Sequence, residues 1–413
     1  MTIGDVHTTT PWAIPGKWSV PPYNFHSEVR QGWKLTPKIG LYDVTLRDGE
    51  QHPGVVFSRE EKVRIAHALY DMGITHIEGG MASVSTEDAE AIATMARELK
   101  DAEIASFTRA KREDIELLVK CGARRATIEV PAMDEHIKRS FGSVSAALDM
   151  LIQGARYAKE NGLYVDLFLM ESSRASLKLL EDLTIPAVQS GCVDSVAFVD
   201  SRGGMLPQAF YWLIAHFKGQ LNIPIEVHCH NNWGMATANT LMAVAAGADV
   251  IHTCINGLNG NAALDECVLG AHALLGVETG VNMKALYHLS TMTREFSKAE
   301  WYKPFVGDVV DKVETGIATR IMWDHRNESD MGRIDGLGVN LDLIGRRYYD
   351  LVVGKLSGRY SIRLKALELG LADPGEELSG KMLERVKTLS ESKKRLLTED
   401  EFRQIYAETS AAQ

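Results

Sequence analysis

The sequence predicts an α/β protein: a (β/α)8 TIM barrel with a mostly helical C-terminal extension. Three observations carry that expectation. Between residue 39 and about residue 275, eight short apolar runs alternate with segments of helical period, the order that yields a parallel sheet closed on itself. The length, 413 residues, exceeds one minimal domain and suits a large barrel plus something smaller. Polar and charged residues gather just past the carboxyl ends of the apolar runs, where barrel enzymes place their chemistry.

Taken in order, residues 1–37 have no period and contain Pro11, Pro15, Pro21 and Pro22. They read as an irregular arm that packs on the barrel or on a partner subunit. The barrel is set at 38–285, with strands at 39–45, 74–80, 103–107, 125–130, 163–169, 194–199, 224–229 and 249–254. Helical segments fall between them; 58–72 has acidic residues early and apolar spacing of three and four. Gly73, Gly122, Gly162, Gly191 and Gly247 mark the turns out of helices. Past 285 the alternation stops. Residues 286–413 read as mostly helical, with a turn-rich piece at 324–340, a glycine-punctuated link at 352–359 and a charged helical stretch at 377–408. No internal repeat is evident.

Composition excludes several classes. A net charge of −10 disfavours a nucleic-acid partner, which would need a basic face. No apolar run reaches the ~18 residues of a membrane span. Residues 1–15 lack the basic start and apolar core of a secretory signal. The five cysteines form no CxxC pair and several sit in apolar runs, as expected of buried thiols in a reducing cytoplasm. Cys229 lies between two histidines, but on a strand its side chain points away from theirs, so it reads as structural.

Two stretches carry chemistry. The first strand ends in Asp43-Val44-Thr45-Leu46-Arg47-Asp48-Gly49-Glu50-Gln51. Asp48 is suited to a hard divalent cation and Arg47 to a developing oxyanion, with Gln51 in reach of both. The alternative for Arg47 is a structural ion pair with Asp48 or Glu78, the less favoured of the two readings. The second stretch is Glu226-Val227-His228-Cys229-His230-Asn231-Asn232. Alternate strand positions share a side, so His228 and His230 converge. A lone HxH is as well explained by two core histidines. Joined to Asp48 it is a two-histidine, one-carboxylate set for Mg, Mn, Co, Fe or Zn with positions left open for substrate. Around these, Glu171 reads as a general base or as a residue holding another in place. Arg174 reads as a carboxylate binder or a loop cap, Ser201 as a positioning hydroxyl or a turn serine, and His136 as site-lining or an exposed loop residue. Arg109, Asp200 and Asn256 also stand at strand ends.

These residues resemble the DRE-TIM metallolyase superfamily, most closely its 2-isopropylmalate, citramalate and homocitrate synthase branch (the pyruvate carboxyltransferase-type domain). Residues 43–51 with Pro53-Gly54-Val55 are similar to its first-strand signature, Ile77-Glu78-Gly79-Gly80 to its second-strand motif and His228-Cys229-His230-Asn231 to its metal motif. Ile255-Asn256-Gly257-Leu258 and Gly260-Asn261-Ala262-Ala263-Leu264 are similar to the segment after its eighth strand, and Gly354-Lys355-Leu356-Ser357-Gly358-Arg359 to its post-barrel linker. The resemblance implies that Asp48, His228 and His230 are metal ligands, with Asn261 a further one. It implies that Arg47 and Gln51 contact a 2-oxo acid and its developing alkoxide. It places Glu171 and Ser201 about the substrate, Ser201 standing where the branch usually has threonine; Glu78, His136 and Arg174 are read beside them as substrate-binding candidates. It also implies an acyl-CoA co-substrate and a homodimer.

The departures bear on the reaction. Leu258-Asn259-Gly260-Asn261 is about three residues shorter than the branch's segment and lacks its glutamate and arginine. Asn232 replaces an aspartate common after the HxH. Val313-Glu314-Thr315-Gly316-Ile317-Ala318 aligns with a motif that in the synthases begins and ends in histidine, one of which helps deprotonate acetyl-CoA. Neither Val nor Ala moves a proton; His325 is a nearby substitute. The chain is also short for the regulatory domain of feedback-inhibited synthases. The sequence thus reads as a divalent-metal-dependent enzyme acting on a 2-oxo acid. Claisen-type condensation with an acyl-CoA leads, a metal-dependent lyase or aldolase comes second, and a non-catalytic relative third.

Overall fold

A computed structural model of the chain describes residues 10–52, 55–299, 306, 312–314, 316–324, 341–346, 350–354, 357–393 and 395–411. His325 and most of the turn-rich 324–340 piece lie outside the described residues, as do Pro53, Gly54, Lys355 and Leu356. The chain divides into two compact units, 22–301 and a second made of 1–21 with 302–413.

The larger unit is a closed barrel of eight parallel strands. They are β1 (Gly40–Asp43), β2 (His76–Glu78), β3 (Glu103–Arg109), β4 (Arg125–Pro131), β5 (Tyr164–Met170), β6 (Ser195–Asp200), β7 (Ile225–Cys229) and β8 (Val250–Thr253). Each pairs with the next, and β8 closes on β1 with Val250 opposite Gly40. All eight fall within the expected apolar runs or overrun them by a residue or two. The connecting helices are α1 (Arg59–Met72), α2 (Thr86–Glu98), α3 (Arg112–Lys120), α4 (Asp134–Phe141), α5 (Val144–Glu160), α6 (Leu177–Gln189), α7 (Pro207–Lys218), α8 (Ala236–Ala246), α9 (Leu264–Gly270) and α10 (Leu286–Ser297). Helix α1 starts where its sequence says: Ser58 caps the Glu61 amide and the Glu61 carboxylate returns to the Ser58 amide. Helix α4 was not expected; it places His136 on its first turn rather than in a loop. The arm from 22 to 37 packs on this barrel, with Arg30 donating to the Leu274 carbonyl at 3.0 Å and the Lys34 amide to Ala245 at 2.7 Å.

The lower barrel interior is polar. Arg125 on β4 is 1% exposed. Its guanidinium lies 2.5 Å from Glu226, 3.5 Å from Asp166 and 3.1 Å from Glu103, and 4.5 Å from the Tyr42 ring centroid. Ser195 donates to Asp166 at 3.0 Å and Tyr42 bonds Thr127 at 2.9 Å. One cation thus satisfies acids from three other strands and ties opposite walls together.

The smaller unit holds α11 (Gly316–Asp324), α12 (Arg359–Glu368), α13 (Gly375–Lys393) and α14 (Glu399–Ala411). Ile362, Ala366, Met382, Val386 and Phe402 are its buried apolar centre. Lys312–Val313 pairs with Asp350–Leu351 as a short parallel ladder. No helix among the described residues is long and apolar enough to cross a membrane.

Arg125→Met should destabilise the barrel by roughly 3–5 kcal/mol, because it strands buried carboxylates without their cation. The urea unfolding midpoint reads this, and an unchanged midpoint would remove Arg125 as the tie between barrel walls.

Candidate active site

After β1 the backbone wraps round a single acceptor: the amides of Arg47, Asp48 and Gly49 all donate to the Val44 carbonyl at 2.9–3.2 Å. Gly49 is required there by space, since a Cβ would meet Cys254 Sγ at 2.8 Å. The loop is pinned from behind by Lys62, 1% exposed, whose amine sits 2.5 Å from Glu50, 2.6 Å from Asp88 and 3.1 Å from the Leu46 carbonyl. This fixes Arg47 and Asp48 at the barrel mouth.

The buried Arg47 guanidinium bridges two acids, with Nε 2.6 Å from Glu78 Oε2 and Nη1 2.7 Å from Asp48 Oδ2. It lies 4.1 Å from the Phe107 ring centroid and 5.6 Å from that of Phe168. Burial alone would lower its pKa, but Glu78 and Asp48 outweigh that and raise it. Burial likewise pushes Asp48 up, and Arg47, His228 and His230 together bring it below the usual carboxylate range. Both readings of Arg47 therefore meet in one geometry: it is an ion-pair partner, and its Nη2 is buried without a hydrogen-bond partner.

His228 and His230 converge as alternation on β7 requires. Their Nε2 atoms are 3.2 Å apart, and His228 Nε2 is 3.6 Å from Asp48 Oδ2. The ligating atoms of Asp48, His228 and His230 lie within 4.8 Å of one another. Lone pairs this close repel unless a cation or proton lies between them. Asn261 adds a buried Oδ1 with no partner, while its Nδ2 donates to Asp48 Oδ1 at 3.0 Å. This N/O donor set fits a divalent cation.

A chain of hydrogen bonds behind His228 fixes its tautomer. His252 Nε2 lies 3.0 Å from Glu226 Oε2, so it carries the proton and leaves Nδ1 as acceptor. His228 Nδ1, 3.3 Å from His252 Nδ1, must then donate, which leaves the His228 Nε2 lone pair facing Asp48 and His230. Asp166, Glu226 and His252 also have metal-ligand spacing, but the Arg125 guanidinium already sits against both carboxylates, so the cluster reads as a salt-bridge network.

The remaining candidates divide. Gln51 is exposed on the turn Gly49–Gln51 and lines an open cleft of about 600 Å³ with Arg47, Val55, Met81 and Val84. Glu171 is buried in a left-handed conformation (φ 65°), a strained choice for a residue with a side chain. Ser201 Oγ accepts from the Glu171 amide at 2.9 Å. The Glu171 carboxylate is held by Arg202 at 3.1 Å and Arg174 at 3.3 Å. Both Glu171 oxygens are taken, so this trio knits the β5 and β6 loops. His136 is half-buried and makes no hydrogen bond among the described residues. Arg109 pairs outward with Asp114 at 2.7 Å. Asp200 accepts from the Gly204 and Met205 amides, and Asn256 is tied to Ser290 of α10. Cys229 is buried beside Thr240, and burial raises its thiol pKa.

Sequence reading missed Asn259, whose Nδ2 donates to Asp48 Oδ1 at 2.8 Å from a left-handed backbone (φ 56°). It also missed Arg202 and the His252–Glu226 pair. These were open to strand alternation and to the charge beside Ser201; Asn259 depends on a turn that no local pattern announces.

Residues 38–293 match the HMGL-like family. A putative (R)-citramalate synthase of Archaeoglobus fulgidus is 33% identical over 370 residues, 88% of this chain and 74% of that protein. The 2-isopropylmalate synthase of Methanocaldococcus jannaschii is 32% identical over 375 residues, 89% of this chain and 71% of that protein. A homocitrate synthase of Methanopyrus kandleri is 32% identical over 368 residues, covering 88% and 90%. Among solved structures, the HMG-CoA lyase of Bacillus subtilis superposes with a TM-score of 0.60 at 19% identity, covering 66% of this chain and 98% of that one. The Pseudomonas aeruginosa lyase gives 0.58 at 19%, covering 64% and 95%; at such identity these two speak for the barrel fold alone. With the family matched across the whole barrel and its first- and seventh-strand motifs meeting at one mouth, the chain belongs to the HMGL-like family of DRE-TIM barrels.

Proposed function

We propose that the chain is a divalent-metal-dependent enzyme of carbon–carbon bond chemistry, condensing an acyl-CoA with a 2-oxo acid. The observation that carries this is the convergence of two imidazole nitrogens and one carboxylate beside a buried guanidinium with a free Nη2. Asp48, His228, His230 and Asn261 would hold the cation, with Mg, Mn, Co or Zn as the candidates. A cation there supplies Lewis-acid polarisation of a keto oxygen. Arg47 Nη2 donates to the charge that grows on that oxygen, and Glu78 and Asp48 keep the guanidinium oriented for it. The barrel mouth around Phe107 and Phe168 excludes water from one side. Similarity to citramalate, isopropylmalate and homocitrate synthases supports condensation.

A second reading, cleavage by a lyase or aldolase, is favoured by Val313, which stands where the synthases resemble one another in carrying a histidine. It uses the same oxyanion machinery in reverse.

Two measurements bear on the proposal. Asp48→Ala and His228→Ala should drop metal content from about one ion per chain to near none, and Asn259→Ala should weaken affinity about 10–100-fold by freeing the Asp48 carboxylate. Undiminished stoichiometry in the first two would sink the ligand assignment. Purified protein with Mg or Mn, acetyl-CoA and a panel of pyruvate, 2-oxoisovalerate, 2-oxoglutarate and oxaloacetate should release free thiol with at least one acceptor, and Asp48→Ala should not. No thiol from metal-loaded protein would move the reading to cleavage, sought as 2-oxo acid formed from hydroxy acids.

A further inference from the structure

The reaction proposed above needs a group that removes a proton from carbon, and Val313 offers none. The barrel mouth does. On β4 the inward side chains are Arg125, Thr127 and Glu129: Arg125 meets Glu226 and Asp166 across the interior, and Thr127 meets the Tyr42 hydroxyl. The same parity sends Glu129 inward, one step nearer the mouth. Its neighbour in register on β5 is Phe168. That ring lies 5.3 Å from the His228 ring and 5.6 Å from the Arg47 guanidinium. Glu129 therefore stands on the wall beside the metal-ligand cluster, next to an apolar patch of Phe107, Phe168, Met81 and Met170.

Five other carboxylates at that end among the described residues are each held by a partner. Asp48 is bound by Arg47, Asn259 and Asn261, and Glu78 by Arg47. Glu171 is bound by Arg174 and Arg202, Asp200 by two loop amides, and Glu50 by Lys62. Glu129 makes no hydrogen bond or ion pair with the described residues. Arg109, opposite it in register on β3, turns away to Asp114. A half-buried carboxylate left free on the wall of the mouth is poor design for stability and good design for proton transfer.

We propose that Glu129 is the general base of the reaction, taking the proton from the carbon next to the thioester carbonyl. The inference rests on the condensation reading given above. The electron pair of the broken C–H bond becomes the enolate, and Glu129 becomes a carboxylic acid. The enolate carbon bonds to the keto carbon while the carbonyl π pair moves onto oxygen. The proton on Glu129 then returns to that alkoxide, which restores the carboxylate, and water as co-reactant cleaves the C–S bond of the adduct to give a carboxylic acid and the free thiol. In cleavage the same residue takes the hydroxyl proton and gives it to the enolate carbon. Burial raises the Glu129 pKa, with Arg47 opposing, which moves it toward the range in which a base works at neutral pH.

The test compares Glu129→Gln and Glu129→Asp with the parent protein in the Mn-loaded state. Thiol release is followed with acetyl-CoA and with its trideuterated acetyl form. Glu129→Gln should lose about 10²–10⁴-fold in kcat, with Mn affinity and the KM for the 2-oxo acid unchanged and a larger deuterium effect on the residual rate. Glu129→Asp should recover part of the loss. A Gln variant within about threefold of the parent kcat would overturn the role of Glu129 while leaving the condensation reading intact. So would a kcat loss matched by an equal loss of Mn affinity, or one accompanied by a lowered urea midpoint and no recovery in the Asp variant. A parent protein that releases no thiol with any acceptor overturns the condensation reading and, with it, the assignment of Glu129 as the base that acts on the acyl-CoA carbon.

Discussion

The site depends on one buried guanidinium. Arg47 is desolvated on all sides, and a bare cation there would be costly. Glu78 from β2 and Asp48 from its own loop neutralise it, and the Phe107 and Phe168 rings cover its face. Each partner comes from a different strand end, so closing the barrel is what assembles the set. The same ion pair orients Asp48, whose other oxygen is held by two asparagine amides from the loop after β8. Without the pair neither the ligand carboxylate nor the oxyanion donor would have a fixed place.

Two polar layers are stacked inside the barrel with different tasks. The lower one, centred on the buried Arg125, is held by ion pairs to Glu226, Asp166 and Glu103, and it ties walls together. The upper one keeps some valences open: Arg47 Nη2, Asn261 Oδ1 and the Glu129 carboxylate. The layers communicate through His252, which joins Glu226 below to His228 above and fixes the lone pair that His228 presents. Open valences in a buried setting carry a stability cost, and they make sense where a ligand fills them.

Much of this was legible in the sequence, and the reasons are physical. Eight runs rich in apolar residues, alternating with helical segments, read as a barrel because each strand buries one face under the helices, even though the face toward the interior carries Arg125, Asp166 and Glu226. His228 and His230 were readable as a pair because strand alternation is rigid. Asp48 and Arg47 were readable because charge at the end of an apolar strand has few other uses. Glu171, Arg174 and Ser201 read from the sequence as separate substrate-lining candidates, and the geometry ties them to one another, since side-chain pairing across two loops leaves no periodic trace. His136 reads from the sequence as site-lining or as an exposed loop residue, and the short α4 that carries it is hard to foresee because its N-cap, Met133, makes no side-chain cap bond. Glu129 was overlooked inside an apolar-looking run, though Arg125 and Thr127 share its parity.

The central claim is that two histidines of β7 and the aspartate after β1 bind one divalent ion that faces the 2-oxo acid. X-ray absorption of Co- or Mn-loaded protein tests it most directly. The expected spectrum shows two imidazole ligands with oxygen donors completing the shell, and a change in the oxygen shell, with both imidazoles kept, when a 2-oxo acid is added. A first shell of oxygen alone, or one unchanged by every 2-oxo acid that supports turnover, would contradict it.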